Sequence, residues 1–153
     1  MDRKPSSAPA QQEQEGCAPE EHATRFSQAR SARSLEILED YTELIAELVR
    51  ERGEARITDI ASRLGVTHPT ATKAVARLKR EGLVISRPYR SVFLTPLGEE
   101  MAQRVKARHR LVVELLLAVG VPAEAAEADA EGMEHHVSDA TLAAFERFLE
   151  SRK

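Results

Sequence analysis

Apolar positions return every three or four residues through SLEILEDYTELIAELVRERG, where Leu38, Tyr41, Leu44, Ile45, Leu48 and Val49 share one stripe. That is the spacing of a helix with a single buried face, and it predicts a helix over 34–52 that Gly53 stops. Helical character begins earlier, near Glu20, but carries no comparable stripe. ITDIASRLGV predicts a short helix burying Ile57, Ile60, Ala61 and Leu64, closed by Gly65. In VTHPTATKAVARLKREGLV, Thr67 can cap a second helix, Pro69 falls in the first turn where its missing N–H costs nothing, and Gly82 ends it. Its inner face is Ala71, Ala74, Val75 and Leu78. Two short helices across a glycine turn make a helix-turn-helix. LVISR and SVFLT then alternate as two strands around Pro88, Tyr89 and Arg90, the wing of a winged helix-turn-helix.

Beyond the wing the period returns to that of helices. PLGEEMAQRVKARHRLVVELLLAVG predicts a long helix from Pro96 to Gly120 that turns wholly apolar over 111–119. Shorter helices are expected at roughly 122–135 and, capped by Ser138, at 139–151. The segment 97–153 is too small and too apolar to bury itself alone, which predicts a dimer interface there. Three regions follow: a partly disordered N-terminal extension (1–33), a winged helix-turn-helix (34–95) and a helical domain (96–153). The first twenty or so residues, rich in Ser, Pro, Gln and Glu, have almost nothing to bury.

Composition sharpens this in two ways. Aromatic residues are only 4% of the 153, with no Trp, so the core rests on Leu, Val, Ile and Ala. The single cysteine, Cys17, excludes an internal disulfide and a cysteine-based zinc site. No apolar run approaches the ~20 residues of a membrane span, and the N-terminus lacks the apolar core of a signal peptide, so a cytoplasmic chain without a membrane partner is expected.

The formal charge of −3 hides a polarity. Residues 56–90 hold eight basic side chains against Asp59 and Glu81, whereas 122–150 hold eight acidic ones against Arg147. A basic part for a polyanion and an acidic part for cations or a partner is the natural reading. The N-terminal turns of a recognition helix read base edges while basic residues hold phosphates. Thr67, Pro69, Thr70, Thr72 and Lys73 occupy those turns, with Arg77 and Arg90 placed for phosphate or groove contact. Binding to duplex DNA should therefore weaken steeply with salt.

The acidic end carries EGMEHHVS at 131–138. On a helix, Glu131, Glu134 and His135 project together and His136 lies off their face. Alone this is an ambiguous acidic turn, since such faces are usually just solvated. Asp40 and Glu43 form a second acidic pair on the first long helix, and His109 lies in line with Val105, Val112, Val113 and Leu116. His22 is expected to be solvated.

EDYTELI (39–45), RITDIASRLGVTHPTATKAVARLKREGLV (56–84), LTPLGEEMA (94–102), RHRL (108–111) and DAEGMEHHVS (129–138) resemble, in order, the manganese-sensing branch of the diphtheria toxin repressor family. The resemblance covers about 35–150. It implies a mainly α protein, a winged helix-turn-helix DNA-binding domain followed by a helical metal-binding and dimerisation domain. It further implies a homodimer that binds operator DNA when loaded with metal, as a repressor of manganese uptake genes. Carried over residue by residue, the ligands would be Asp40, Glu43, His109, Glu131, Glu134 and His135, holding two Mn²⁺ ions per subunit, with Glu131 and Glu134 as bridges. The iron branch has Met at the place of Asp40 and Cys at that of Glu131; four carboxylates and two imidazoles form a harder set, suited to Mn²⁺. Fe²⁺ remains the closest alternative. Val113 departs from the relatives, which commonly carry Glu there, and the additional C-terminal domain of the iron branch is not expected. Rival readings are a two-metal hydrolase, for which no nucleophile motif or glycine-rich loop is evident, and a MarR-like winged-helix regulator sensing an organic ligand.

Overall fold

The computed structural model of the protein describes residues 18–153; Cys17 and most of the segment expected to be disordered lie outside that range. Helix α1 (Pro19–Arg52) is 34 residues long and starts well before position 34. Its first half has no apolar stripe for periodicity to reveal, and its residues are exposed, His22 among them. A proline in the first turn, Glu20 and Glu21 near the N-terminus and a run of good helix formers are enough to extend it. Gly53, at φ 82°, closes α1 by donating its N–H to the Val49 carbonyl at 2.8 Å.

A two-residue strand that periodicity could not predict follows, β1 (Ala55–Arg56), then α2 (Ile57–Leu64) and α3 (His68–Arg80). The turn between them needs Gly65 in the left-handed region, φ 65°. Thr67 caps α3 through the Thr70 N–H. Strands β2 (Val84–Arg87) and β3 (Ser91–Leu94) flank a single 3₁₀ turn, Pro88–Arg90, in which Tyr89 takes φ 69° and is 93% exposed. The antiparallel sheet has the order β1-β3-β2, with Ala55 opposite Val92 and Val84 opposite Leu94.

Helix α4 (Pro96–Ala118) joins the two halves of the molecule. Its N-terminal end meets the head: Met101 packs on the head's core, and a Cβ on Gly98 would lie 2.1 Å from the Leu83 carbonyl oxygen. Its later turns bury Val112 and Val113 against Ala126 and Ala130 of α5 (Ala123–Met133). Helix α6 (Asp139–Glu150), capped by Ser138, has no buried residue and touches that small core through Leu142. The head's core is much larger, gathering Leu38, Tyr41, Leu44, Ile45 and Leu48 of α1 with Ile60, Ala71, Val75, Leu78 and Val92.

Candidate metal centre and DNA-reading face

Helix α5 ends at Met133, two residues short of the expected 135, because the helical hydrogen-bond ladder gives way to a turn. Glu134 still keeps helical angles, φ −58° and ψ −33°, and donates its N–H to Ala130 at 3.0 Å. The register therefore carries past the helix end. Glu134 and His135 turn inward, with side chains 1% and 3% exposed, while His136 points away, 54% exposed and 3.5 Å from Glu36.

Asp40, Glu43, Glu131 and His135 line one cavity of about 300 Å³ between α1 and the end of α5, together with Glu36 and Glu47. Glu134 bridges the remaining members: its Oε2 is 2.6 Å from His109 Nδ1 and its Oε1 is 3.4 Å from His135 Nε2. Glu131 Oε1 is 3.8 Å from His109 Nδ1, and Asp40 Oδ1 is 3.0 Å from His135 Nε2. The six residues thus form one connected group drawn from three elements. Among the described residues no three donors are already gathered into a ligating cluster; they are hydrogen-bonded to one another and to neighbouring carboxylates instead.

The electrostatics match that of a site with too much negative charge for its solvation. Burial pushes the Glu134 carboxyl up to about 7, against the pull of His109 and His135. Burial also raises Asp40, opposed by His135, and raises Glu43, reinforced by Glu131 and Glu47. Burial alone would lower both imidazoles. Hydrogen bonds to Glu127 and Glu134 outweigh it at His109, and those to Glu39 together with the charge of Asp40 outweigh it at His135, so both are raised. Glu134 Oε1 is buried without a hydrogen-bond partner. A buried carboxylate oxygen with nothing to accept from, facing two imidazoles among hard oxygen donors, fits a divalent cation.

The proposed DNA residues divide by engagement. Thr72 and Lys73 are exposed on the first turns of α3, and Thr67, Pro69 and Thr70 surround its N-terminus. Thr67 and Thr70 are occupied with capping, their hydroxyls 2.9 Å apart, and Thr72 donates its hydroxyl to the His68 carbonyl at 2.9 Å. Arg77 is half-buried and donates to the Ser34 hydroxyl on α1, so it faces α1 and not open solvent. Arg90 belongs to the wing turn.

Comparison with known proteins agrees with both halves. Residues 35–92 match the iron dependent repressor N-terminal DNA binding domain, and residues 95–153 the iron dependent repressor metal binding and dimerisation domain. The transcriptional regulator MntR of Escherichia coli O6:H1 (strain CFT073) is 51% identical over 131 residues, covering 86% of this chain and 84% of that protein. The chain belongs to the iron-dependent, or diphtheria toxin, repressor family. The HTH-type transcriptional regulator MntR of Lysinibacillus sphaericus is 40% identical over 101 residues, 66% of this chain and 73% of the relative. Among solved structures, the manganese regulator SloR is 30% identical with a TM-score of 0.64, over 74% of this chain and 53% of that one. A manganese-dependent transcriptional repressor in complex with manganese is 29% identical with a TM-score of 0.66, over 74% and 52%. The chain spans about half the length of these solved relatives. Members of the family named here are transcriptional regulators, which are not enzymes, and no described helix is long and apolar enough to cross a membrane.

Within this family frame, three residues stand out that sequence reasoning missed. Glu39, buried on α1, accepts from His135 Nδ1 at 2.8 Å and lies 2.6 Å from Arg108 Nη2 of α4. Glu127 is 2.9 Å from His109 Nε2. The spacing 127, 131, 134 is a helical stripe that could have revealed Glu127; Glu39 was hidden beside the more conspicuous Asp40. Val113 has no polar role here, being buried in the small core.

Proposed function

We propose that the chain is a Mn²⁺-responsive transcriptional regulator, a cytoplasmic homodimer that binds operator DNA when metal-loaded and represses manganese uptake genes. The observation that carries this reading is the meeting of Asp40 and Glu43, on the helix that begins the head, with Glu131 and His135 around one cavity beside the buried Glu134. The head runs over 34–95 and the dimerisation domain over 96–153. Asp40, Glu43, His109, Glu131, Glu134 and His135 would hold two ions. Bound there, the cations would supply the positive charge that lets these carboxylates stay ionised side by side.

The residues' own part follows from their placement. Without that charge, Asp40 and Glu43 repel Glu131 across the cavity, and α1 is held loosely against α5. With it, the same side chains tie the head to the dimerisation domain and fix the separation of the two α3 helices in the dimer. Metal and operator then strengthen each other's binding by the same factor, as linkage requires. Thr72 and Lys73 face the groove, Pro69 sets the start of α3, and Thr67 and Thr70 hold its N-terminus. Arg77 exchanges Ser34 for phosphate, and Arg90 reaches from the wing. No sulfur donor stands among the six, which favours Mn²⁺ over softer ions.

The test is operator binding titrated with Mn²⁺ and Fe²⁺ side by side. Mn²⁺ should tighten binding in the wild type, and Glu134→Ala should weaken Mn²⁺ affinity on the order of 100-fold or more, the upper end of what loss of even an outer partner costs. Operator affinity indifferent to Mn²⁺ refutes the mechanism, and a response to Fe²⁺ alone reassigns the metal.

A further inference from the structure

Each histidine of the six is gripped on both ring nitrogens, and the two grips are reversed. His109 presents Nδ1 to Glu134 and Glu131, at 2.6 and 3.8 Å, while its Nε2 is 2.9 Å from Glu127. His135 presents Nε2 to Asp40 and Glu134, at 3.0 and 3.4 Å, while its Nδ1 is 2.8 Å from Glu39. A neutral imidazole carries one proton, and the nitrogen that can ligate is the one without it. A carboxylate facing the other nitrogen keeps the proton there and holds the ring in plane.

We propose that Glu127 and Glu39 are positioning residues that set opposite tautomers at the two histidines. His109 keeps its proton on Nε2 toward Glu127 and offers Nδ1 to the shared carboxylates. His135 keeps its proton on Nδ1 toward Glu39 and offers Nε2. The inference rests on the metal reading for its consequence, but the tautomers themselves are properties of the metal-free protein.

The two grips differ in construction. Glu39 is itself anchored, 2.6 Å from Arg108 Nη2, and both Glu39 and His135 are buried. It therefore connects α1, α4 and the end of α5 in one polar chain. Glu127 is 63% exposed on the outer side of α5, within reach of water, and nothing else in the structure pairs with it besides His109. The His109 grip is thus the one that can be removed without disturbing the fold.

Nitrogen chemical shifts of the imidazole rings, recorded on the metal-free full chain at a pH where the rings are neutral, read the tautomers directly. Protonated Nε2 at His109 and protonated Nδ1 at His135 are expected; the reverse at either ring overturns the proposal for that residue. Calorimetric titration with Mn²⁺ then tests the consequence. Glu127→Ala should lower affinity about 10- to 100-fold and mix the His109 tautomers. Glu127→Gln, whose carbonyl oxygen still accepts from Nε2, should recover most of the loss. Wild-type affinity in Glu127→Ala overturns the positioning role. For Glu39, Ala would strand Arg108 as a buried charge, so Glu39→Gln is the informative variant: a folded protein whose His135 ring keeps the Nδ1 proton as before, with an Mn²⁺ affinity equal to that of wild type, overturns the requirement for the carboxylate. If the wild type binds no Mn²⁺ while both tautomers are as expected, the metal reading fails and the hydrogen-bond assignment stands.

Discussion

The head and the C-terminal helices are built to different degrees of completeness. The head buries Ile45, Leu48, Ile60, Ala71 and Leu78 entirely and closes its sheet against them. The C-terminal helices bury only Val112, Val113, Ala126 and Ala130 as a cluster, leave α6 without a buried residue, and expose Leu117, Val119 and Phe148. The first is a domain with its own core; the second has apolar surface that only another chain can cover, in keeping with the dimerisation domain it matches. The basic and acidic halves of the charge pattern follow the same division. A self-sufficient basic reader is joined to an incomplete acidic clamp, and the candidate metal site lies at the seam.

Three measurements bear on this contrast, beginning with the largest effect. Ile45→Ala, at a fully buried position of the head, should cost about 2–5 kcal/mol in chemical denaturation; a loss well below that range would mean that the head's core is not what holds it. Leu117→Asp should leave the head's amide-exchange protection intact while weakening self-association by about 1.5–3 kcal/mol, the worth of burying one leucine. Sedimentation showing an unchanged dimer would place the interface elsewhere.

The smallest effect is a drift with pH, and its sign is fixed by the seam. The folded, metal-free protein holds protons on Glu134, pushed up to about 7, and on His109 and His135, both raised, more tightly than the unfolded chain does. The stability these groups contribute is full below the unfolded values, ~4.5 for Glu and ~6.5 for His, and is lost as pH rises through the folded ones. The metal-free melting temperature should therefore fall from about pH 5 to above 7. Mn²⁺ affinity should climb over the same window and keep climbing past ~6.5, because those protons must leave before the donors can ligate. A flat melting profile would show that the site is better solvated than its burial implies.

Much of this was legible in the chain because one physical signal wrote it. Every element with a buried face, from the stripe of α1 to the capped α3, announced itself by apolar spacing. What escaped had no such face. The first half of α1 is exposed and polar all round; β1 is too short to have a period and exists only because β3 lies beside it. At the site, the six proposed ligands could be placed by family likeness, whereas Glu39, Arg108 and Glu127 became visible only when three elements were brought together. Arg77 shows the converse. Its place in α3 suggested an outward role, and tertiary packing gave it a partner, Ser34, 43 positions away.

Gly98 bears on how such a molecule can move. Because the first turn of α4 lies directly on the backbone of Leu83, with no side chain between them, the head and the long helix share a hard pivot at that point. The head cannot slide along α4; it can only tilt about it, and the free end of that tilt is α1, where Asp40 and Glu43 sit. Adding a methyl group at Gly98 would shift the pivot itself, giving a protein that could still take up metal at the seam but would present its two reading helices at the wrong separation.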